Sequence, residues 1–191
     1  MVALPFQTDH HWTVKDLGEL PEDGNRYELL QGELIVSPSP GRTHQRLVSW
    51  LNIRLDAASR EANAGEAIVG PMDVQLSAID LVEPDLFYIR DDQADQYKDR
   101  YFEGAPAFVI EVVSPSSGTY DRIRKSGLYM NSGVEEYWVI EPDKRRVLVH
   151  TANASTSTPR VVTAGSLTSV VLPAFSIEIN SLFAAADRPR S

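Results

Sequence analysis

The clearest helical pattern in the chain begins after Pro40-Gly41, where apolar residues recur every three or four positions. These residues share one side of a helical projection: Leu47, Val48, Leu51, Leu55 and Ala58. The spacing predicts an amphipathic helix of about five turns, from near residue 42 to near residue 62. Two further helices are predicted at 120–130 and 179–185.

Short apolar runs bounded by turn residues predict the strands. Segments 26–30 and 33–37 flank Gln31-Gly32, which predicts a hairpin with a two-residue turn. A second hairpin is predicted from 136–140 and 146–150, around Pro142-Asp143-Lys144. The remaining short segments are predicted to be strand pieces or edge strands: 67–69, 73–76, 161–162 and 170–172.

Two strongly apolar runs each carry a carboxylate. Residues 83–89 read as a strand opened by Pro84, with Asp85 at its start. Residues 107–114 are almost entirely apolar, which is typical of a central strand buried on both faces, and Glu111 interrupts that run. An ionised carboxylate in such a strand costs several kcal/mol unless it is paired or bound to a metal.

This order of elements predicts an α+β (α/β/α-like) fold with a mixed β-sheet flanked by helices. An N-terminal hairpin and C-terminal strands are expected as additions to that core. We predict a single domain over residues 13–185, an N-terminal arm over 1–12 and a tail over 186–191.

Composition narrows the class of protein. The chain has 191 residues, 18 Lys plus Arg against 27 Asp plus Glu, a net charge of −9 and no cysteine, which excludes disulfides and thiolate zinc sites. The sequence shows neither a signal-peptide pattern nor about 18 consecutive apolar residues, so we expect a cytoplasmic protein without a membrane span. The acidity also means that any nucleic-acid contact must use a local basic strip.

Asp85 and Glu111 are the best candidates for chemistry. If their strands are neighbours, the two carboxylates meet at one end of the sheet, where they would suit Mg²⁺ or Mn²⁺. The backbone carbonyl of Val112 would add another oxygen ligand, and Glu33 is a weaker candidate ligand. The alternatives are that Asp85 accepts backbone hydrogen bonds in a turn and that Glu111 pairs with a core arginine.

Lys125, in the helix after the Glu111 strand, is the candidate for orienting an attacking water or stabilising a phosphate. Its simpler interpretation is a surface ion pair with Asp121, four residues earlier. Arg122 and Arg124 form a basic cluster with it and are the predicted phosphate contacts. His44, at the start of the long helix, is a further candidate for substrate contact.

The chain also carries a series of motif blocks in a fixed order: 27–34 (YELLQGEL), 44–45 (HQ), 84–85 (PD), 111–117 (EVVSPSS), 133–138 (GVEEYW) and 172–179 (LPAFSIEI). Together they resemble the bacterial Uma-two family of restriction-endonuclease-like proteins, within the PD-(D/E)XK nuclease superfamily. The resemblance covers about residues 13–185. It implies a restriction-endonuclease-like core, with a four- or five-stranded mixed sheet and a divalent metal at the sheet edge.

By position, Asp85 matches the motif aspartate and Glu111 the motif glutamate. The superfamily lysine, two residues after that glutamate, is replaced here by Val113. The resemblance implies that a lysine from the next helix takes its place, and Lys125 is the matching position. This departure makes activity depend on whether Lys125 reaches the site.

The resulting hypothesis is a Mg²⁺- or Mn²⁺-dependent endonuclease that hydrolyses DNA phosphodiester bonds, acting as a homodimer because cutting both strands calls for two sites. The alternative is a catalytically silent nuclease-like module that binds nucleic acid or a protein partner, which Val113 and the net charge of −9 favour. A third interpretation is a hydrolase that uses the same metal pair on a small phosphoester.

Overall fold

A computed structural model of the chain describes residues 10–21, 24–37, 39–113, 119–152 and 158–187. The described residues form three α-helices: α1 (Arg42–Ala62), α2 (Thr119–Ser132) and α3 (Ile179–Asp187). They also form the following strands: β1 (Arg26–Leu30), β2 (Glu33–Ser37), β3 (Gly65–Val69), β4 (Asp73–Gln75), β5 (Leu81–Val82), β6 (Leu86–Arg90), β7 (Tyr101–Glu103), β8 (Phe108–Val112), β9 (Glu136–Glu141), β10 (Arg146–Thr151), β11 (Arg160–Val162), β12 (Ser166–Thr168) and β13 (Ser176–Glu178).

The larger sheet has six strands in the order β11-β10-β9-β8-β6-β3. Only β8 and β9 pair in parallel among these described strands; the other neighbours are antiparallel. Every residue of β8 is buried, as predicted for a central strand. Helices α1 and α3 cover one face of this sheet, where the apolar side of α1 packs on alternate residues of β6, β8 and β9.

A second, five-stranded sheet in the order β2-β1-β5-β4-β7 lies with α2 against the other face. Aromatic and branched side chains fill the space between these layers, among them Phe87, Phe102, Val109 and Tyr129. The predicted mixed α+β class is confirmed. The resemblance implied four or five strands in the main sheet, whereas six are present because β3 and β11 extend it at both edges.

Local predictions hold best where the pattern is long or the turn is specific. Helix α1 has the predicted bounds, and the first hairpin turns through Gln31 (φ 55°) and Gly32 (φ 76°), as a two-residue turn requires. Residues 170–172 are not a strand, and the C-terminal hairpin is instead β12 with β13. Residues 170–172 instead lie beside Glu136, whose carboxylate accepts hydrogen bonds from the backbone amides of Val170 and Val171.

The N-terminal part of the described chain docks on the first hairpin. A short 3-10 helix (Val14–Glu19) follows Thr13, whose amide and hydroxyl both donate to the carboxylate of Asp16. The amide of Trp12 donates to the carbonyl of Gly32 at 2.8 Å. None of the described helices combines the length and apolarity that a membrane crossing needs.

Gly127 lies in the interior of α2, and a Cβ added there would meet no atom within 4 Å. Glycine in a helix interior is less favourable than alanine because it loses more backbone entropy on folding. We expect Gly127→Ala to raise the free energy of unfolding by about 0.5–1 kcal/mol, measured by urea denaturation.

Gly165→Ala is the matched control. Its Cβ would also enter open space, but Gly165 has φ +77°, a left-handed conformation that costs alanine about 1–2 kcal/mol. The same substitution should therefore destabilise the protein at this position. Equal effects of the two substitutions would contradict the helical assignment of Gly127.

Candidate active site

Asp85 and Glu111 face each other across two neighbouring strands. Strand β6 pairs antiparallel with β8, with Leu86 opposite Ile110, so Asp85, directly before β6, lies across from Glu111. The amide of Val112 donates to Oδ2 of Asp85 at 2.9 Å and ties the two strand ends together. The motif carboxylates therefore meet at one end of the larger sheet.

Three donors hold the Asp85 carboxylate, which is only 3% exposed. Nε2 of His44, from the first turn of α1, lies 2.9 Å from Oδ2, and the Arg26 guanidinium reaches Oδ1 at 3.5 Å. Burial alone would raise the pKa of Asp85, but His44, the Val112 amide and Arg26 together lower it below its ordinary value. Asp85 is therefore ionised at neutral pH.

Glu111 is held from α2. Its Oε1 accepts hydrogen bonds from Nζ of Lys125 at 3.0 Å and from the hydroxyl of Tyr129 at 2.9 Å. Burial raises the pKa of Glu111, and the positive charge of Lys125 only partly opposes that rise. Within the described part of the chain, Oε2 of Glu111 receives no hydrogen bond.

Lys125 bridges two buried carboxylates. Its ammonium donates to Glu111 and, at 2.8 Å, to Oε1 of Glu28 in strand β1 of the second sheet. Burial lowers the pKa of Lys125, but the two carboxylates outweigh burial and raise it above its ordinary value. Lys125 is thus a fixed cation of the buried cluster, while the side chain of Asp121, the surface partner that the sequence left open, lies outside the described residues.

Arg26 and Glu83 complete this cluster. Nε of Arg26 lies 3.3 Å from Oε2 of Glu83, while the Glu83 amide donates to Glu28 at 3.0 Å. Burial raises the pKa of Glu83 to about 7, against an ordinary value of 4.5, although Arg26 opposes this rise. The site therefore contains four carboxylates around two permanent cations.

The other predicted site residues lie in different surroundings. His44, which the sequence suggested as a substrate contact, forms a hydrogen bond with Asp85. Arg124 donates to Glu33 at 2.7 Å and to the carbonyl of Leu30 at 2.9 Å. The side chain of Glu33 is 61% exposed, so the Arg124–Glu33 pair lies at the rim of the site. The side chain of Arg122 and residues Ser114 to Ser117 lie outside the described residues.

Sequence reasoning missed Glu28, Arg26, Glu83 and Tyr129. Glu28 carries the same signal that identified Glu111, a carboxylate inside an apolar strand, but a hairpin strand gives no sign of which face is buried. Tyr129 lies four residues after Lys125, on the same face of α2. Arg26 and Glu83 carry no local signal, because their partners come from distant segments.

Asp85 and Glu111 carry carboxylate oxygens, the donor type that a hard divalent cation prefers. No group of three His, Asp or Glu side chains suited to a metal occurs among the described residues. Asp85 and Glu111 would thus supply two oxygen ligands and leave the other positions to water, which is the arrangement that Mg²⁺ favours. The excess of carboxylates over cations in the cluster favours such an ion electrostatically.

Comparison with known proteins places this arrangement in a family. Residues 14–182 match the profile of Uma2, described as "Putative restriction endonuclease". The chain belongs to the Uma2 family. The resemblance of its motifs to Uma2 is thereby confirmed, and with it membership of a restriction-endonuclease-like nuclease family.

A solved structure shows the same fold. A crystal structure from Anabaena variabilis, described as "a putative nuclease belonging to DUF820", superimposes on this Uma2 chain with a TM-score of 0.78 at 17% sequence identity. The match covers 91% of this chain and 98% of that chain. No curated protein matches the sequence.

Glu83 predicts a specific dependence of stability on pH. Between its ordinary pKa of 4.5 and the folded value of about 7, Glu83 is protonated in the folded state and ionised in the unfolded state. The free energy of unfolding should therefore fall as pH rises through this interval. Glu83→Gln retains the shape of the neutral acid, so its stability should fall less steeply, as measured by urea denaturation at several pH values.

The control is Glu66→Gln, which replaces an exposed glutamate on the edge strand β3. It should keep the pH dependence of the wild type. Parallel stability profiles for the wild type and Glu83→Gln would show that Glu83 is not the group responsible.

Proposed function

We propose that this Uma2 protein is a Mg²⁺- or Mn²⁺-dependent endonuclease that hydrolyses phosphodiester bonds of DNA. The observation that carries the proposal is the position of Lys125, whose ammonium lies 3.0 Å from Glu111 although the superfamily lysine position is Val113. A cation fixed beside the motif glutamate supplies the component that the strand itself lacks.

The chemistry divides among the protein's own groups. Asp85 and Glu111 would hold the metal, and a bound divalent ion would lower the pKa of a water ligand and neutralise charge on the phosphate. Lys125, fixed by two carboxylates, stabilises negative charge that develops on the phosphate oxygens. His44 and Arg26 hold Asp85 in its ionised form and fix its orientation.

Arg124, at the rim of the site, and Arg122 are the proposed phosphate contacts. Arg124 is held by Glu33, so it would meet a phosphate from a fixed position. The proposal also includes a homodimer, since one site per chain cuts one strand, and a cytoplasmic location.

A catalytically silent module that binds nucleic acid or a protein partner is the second candidate. The observation that favours it is that Lys125 already forms ion pairs with both Glu28 and Glu111. Such a closed ion-pair cluster can serve structure alone.

Glu111→Gln separates the two candidates. The amide keeps the size of the side chain and accepts a hydrogen bond from Lys125, but it is a poor ligand for Mg²⁺. We expect Mg²⁺- or Mn²⁺-dependent nicking of supercoiled plasmid to fall more than about 100-fold, since metal assistance contributes several kcal/mol.

Glu66→Gln, purified in the same way, should nick at the wild-type rate. Equal nicking by all three proteins, in proportion to the amount of each purified protein, would contradict the role of Glu111. Absence of nicking by the wild type with either metal, on plasmids of varied sequence, would favour the silent module.

A further inference from the structure

The first part of α1 carries positive charge in a protein that is acidic as a whole. Residues 42–55 contain three arginines, one histidine and no Asp or Glu, although the net charge of the chain is −9. The first acidic residue of the helix is Asp56, whose carboxylate accepts a hydrogen bond from Arg60 at 2.9 Å. The unbalanced positive charge of α1 is therefore concentrated in about its first four turns.

Part of this charge lies on the side of α1 that faces away from the sheet. The apolar side of the helix packs on the larger sheet. On the opposite side Arg42 is exposed, and Arg46 follows it one turn later. Ser49 and Ile53 continue the same line and are exposed, Ile53 by 65%. We refer to the line Arg42, Arg46, Ser49 and Ile53 as the α1 ridge.

The carboxylates of the described part of the chain leave much of this charge unneutralised. None of them forms a salt bridge with Arg42 or Arg54. The Arg54 guanidinium lies over the ring of Trp50, 3.5 Å from its centroid, a contact that retains the positive charge. Helix α3, which packs beside α1, carries one acidic residue, Asp187, and that residue pairs with Arg145 at 2.7 Å.

Arg42 stands where the helix itself favours the opposite charge. It is the first residue of α1, and no acidic residue occurs in the first turn. The N-terminal end of a helix has a partial positive charge, so a carboxylate stabilises it and a cation does not. Helix stability therefore gives no reason for an arginine here, which favours a role in contacting an anion outside the protein.

The ridge begins at the candidate active site. His44, in the first turn of α1, lies 2.9 Å from the carboxylate of Asp85, while Lys125 of α2 pairs with Glu111. The two motif carboxylates thus lie between the start of α1 and α2. Because Arg42 is two residues from His44, the ridge starts beside Asp85 and runs from there about 16 Å along the helix axis.

We propose that the α1 ridge binds the phosphate backbone of duplex DNA next to the scissile phosphate. Arg42 and Arg46 contact successive phosphates, and the hydroxyl of Ser49 donates to a phosphate oxygen further along. Arginine and serine side chains are among the groups that proteins use for such contacts. The inference rests on the proposed nuclease function for the position of the scissile phosphate, and it names the surface that holds the substrate on the α1 side of the site.

Paired DNA fits the ridge better than a single strand. Proteins that bind single strands offer open aromatic faces on which unpaired bases stack. The ring of Trp50 is covered by Arg54 and packs against the core, so it offers no such face. Contacts made only to phosphates carry no sequence information, and binding by the ridge is therefore expected to be independent of sequence.

Binding can be measured without cleavage, by fluorescence anisotropy of a labelled DNA duplex with Mg²⁺ in the Glu111→Gln background. Arg42→Gln should weaken binding about three- to tenfold and reduce the slope of log K against log salt by about 0.9, the value for one phosphate contact. The loss should be equal on two duplexes of unrelated sequence.

Arg60→Gln in the same background is the matched control. Arg60 lies five full turns after Arg42 on the same side of α1, about 27 Å away, and at 0.1 M salt the screening length is only about 10 Å. Its substitution removes an equal charge and should leave binding at the level of the Glu111→Gln parent.

Charge reversal separates binding from folding. Arg42→Glu should weaken binding at least about tenfold while the midpoint of urea denaturation stays equal or rises, because a carboxylate suits the helix start. Arg60→Glu should do the opposite: it replaces the partner of Asp56 with an acid in the last turn, so the midpoint should fall while binding is unchanged.

The proposal is overturned if the parent protein does not bind the duplex, if Arg42→Gln binds it like Arg60→Gln, or if a single strand or an RNA duplex binds more tightly with the same dependence on Arg42. Arg42-dependent binding by a protein whose wild type never nicks DNA would reject the nuclease but retain the ridge. Metal-dependent nicking by the wild type, with no effect of Arg42→Gln on binding, would do the reverse.

Discussion

The ion-pair cluster around Lys125 is the interaction on which the site depends. One ammonium joins Glu28 in the second sheet to Glu111 in the centre of the larger sheet. Removing that cation would leave two carboxylates buried without a permanent positive partner, which is strongly unfavourable. The same contact therefore fixes the position of α2 against both sheets and places a positive charge beside the motif glutamate.

Around this contact the protein collects more carboxyl groups than cations. Arg26 and Lys125 face four carboxylates, and burial raises the pKa of Glu83 and Glu111 while His44 and Arg26 keep Asp85 ionised. The pKa values of neighbouring acids are thus driven in opposite directions. Such a separation is typical of sites that bind cations or transfer protons.

The sequence predicts the elements with long periodicity or specific turns, such as α1 and the first hairpin, and it predicts that Asp85 and Glu111 meet. It does not predict the second sheet, because strands as short as β5 and β7 have no pattern of their own. Buried carboxylates are also ambiguous from sequence. Glu136 lies in an apolar strand like Glu111, but neutral donors such as Trp138 and Ser169 satisfy it, and only the structure separates the two roles.

The central claim is that Lys125 performs the task of the superfamily lysine, and moving the lysine back tests it most directly. Val113 lies two residues after Glu111, on the same face of the chain. In plasmid nicking with Mg²⁺, Lys125→Gln should lose activity, and adding Val113→Lys to that variant should restore a substantial part of it. Full activity of Lys125→Gln alone, or a folded double variant without any recovery, would contradict the account.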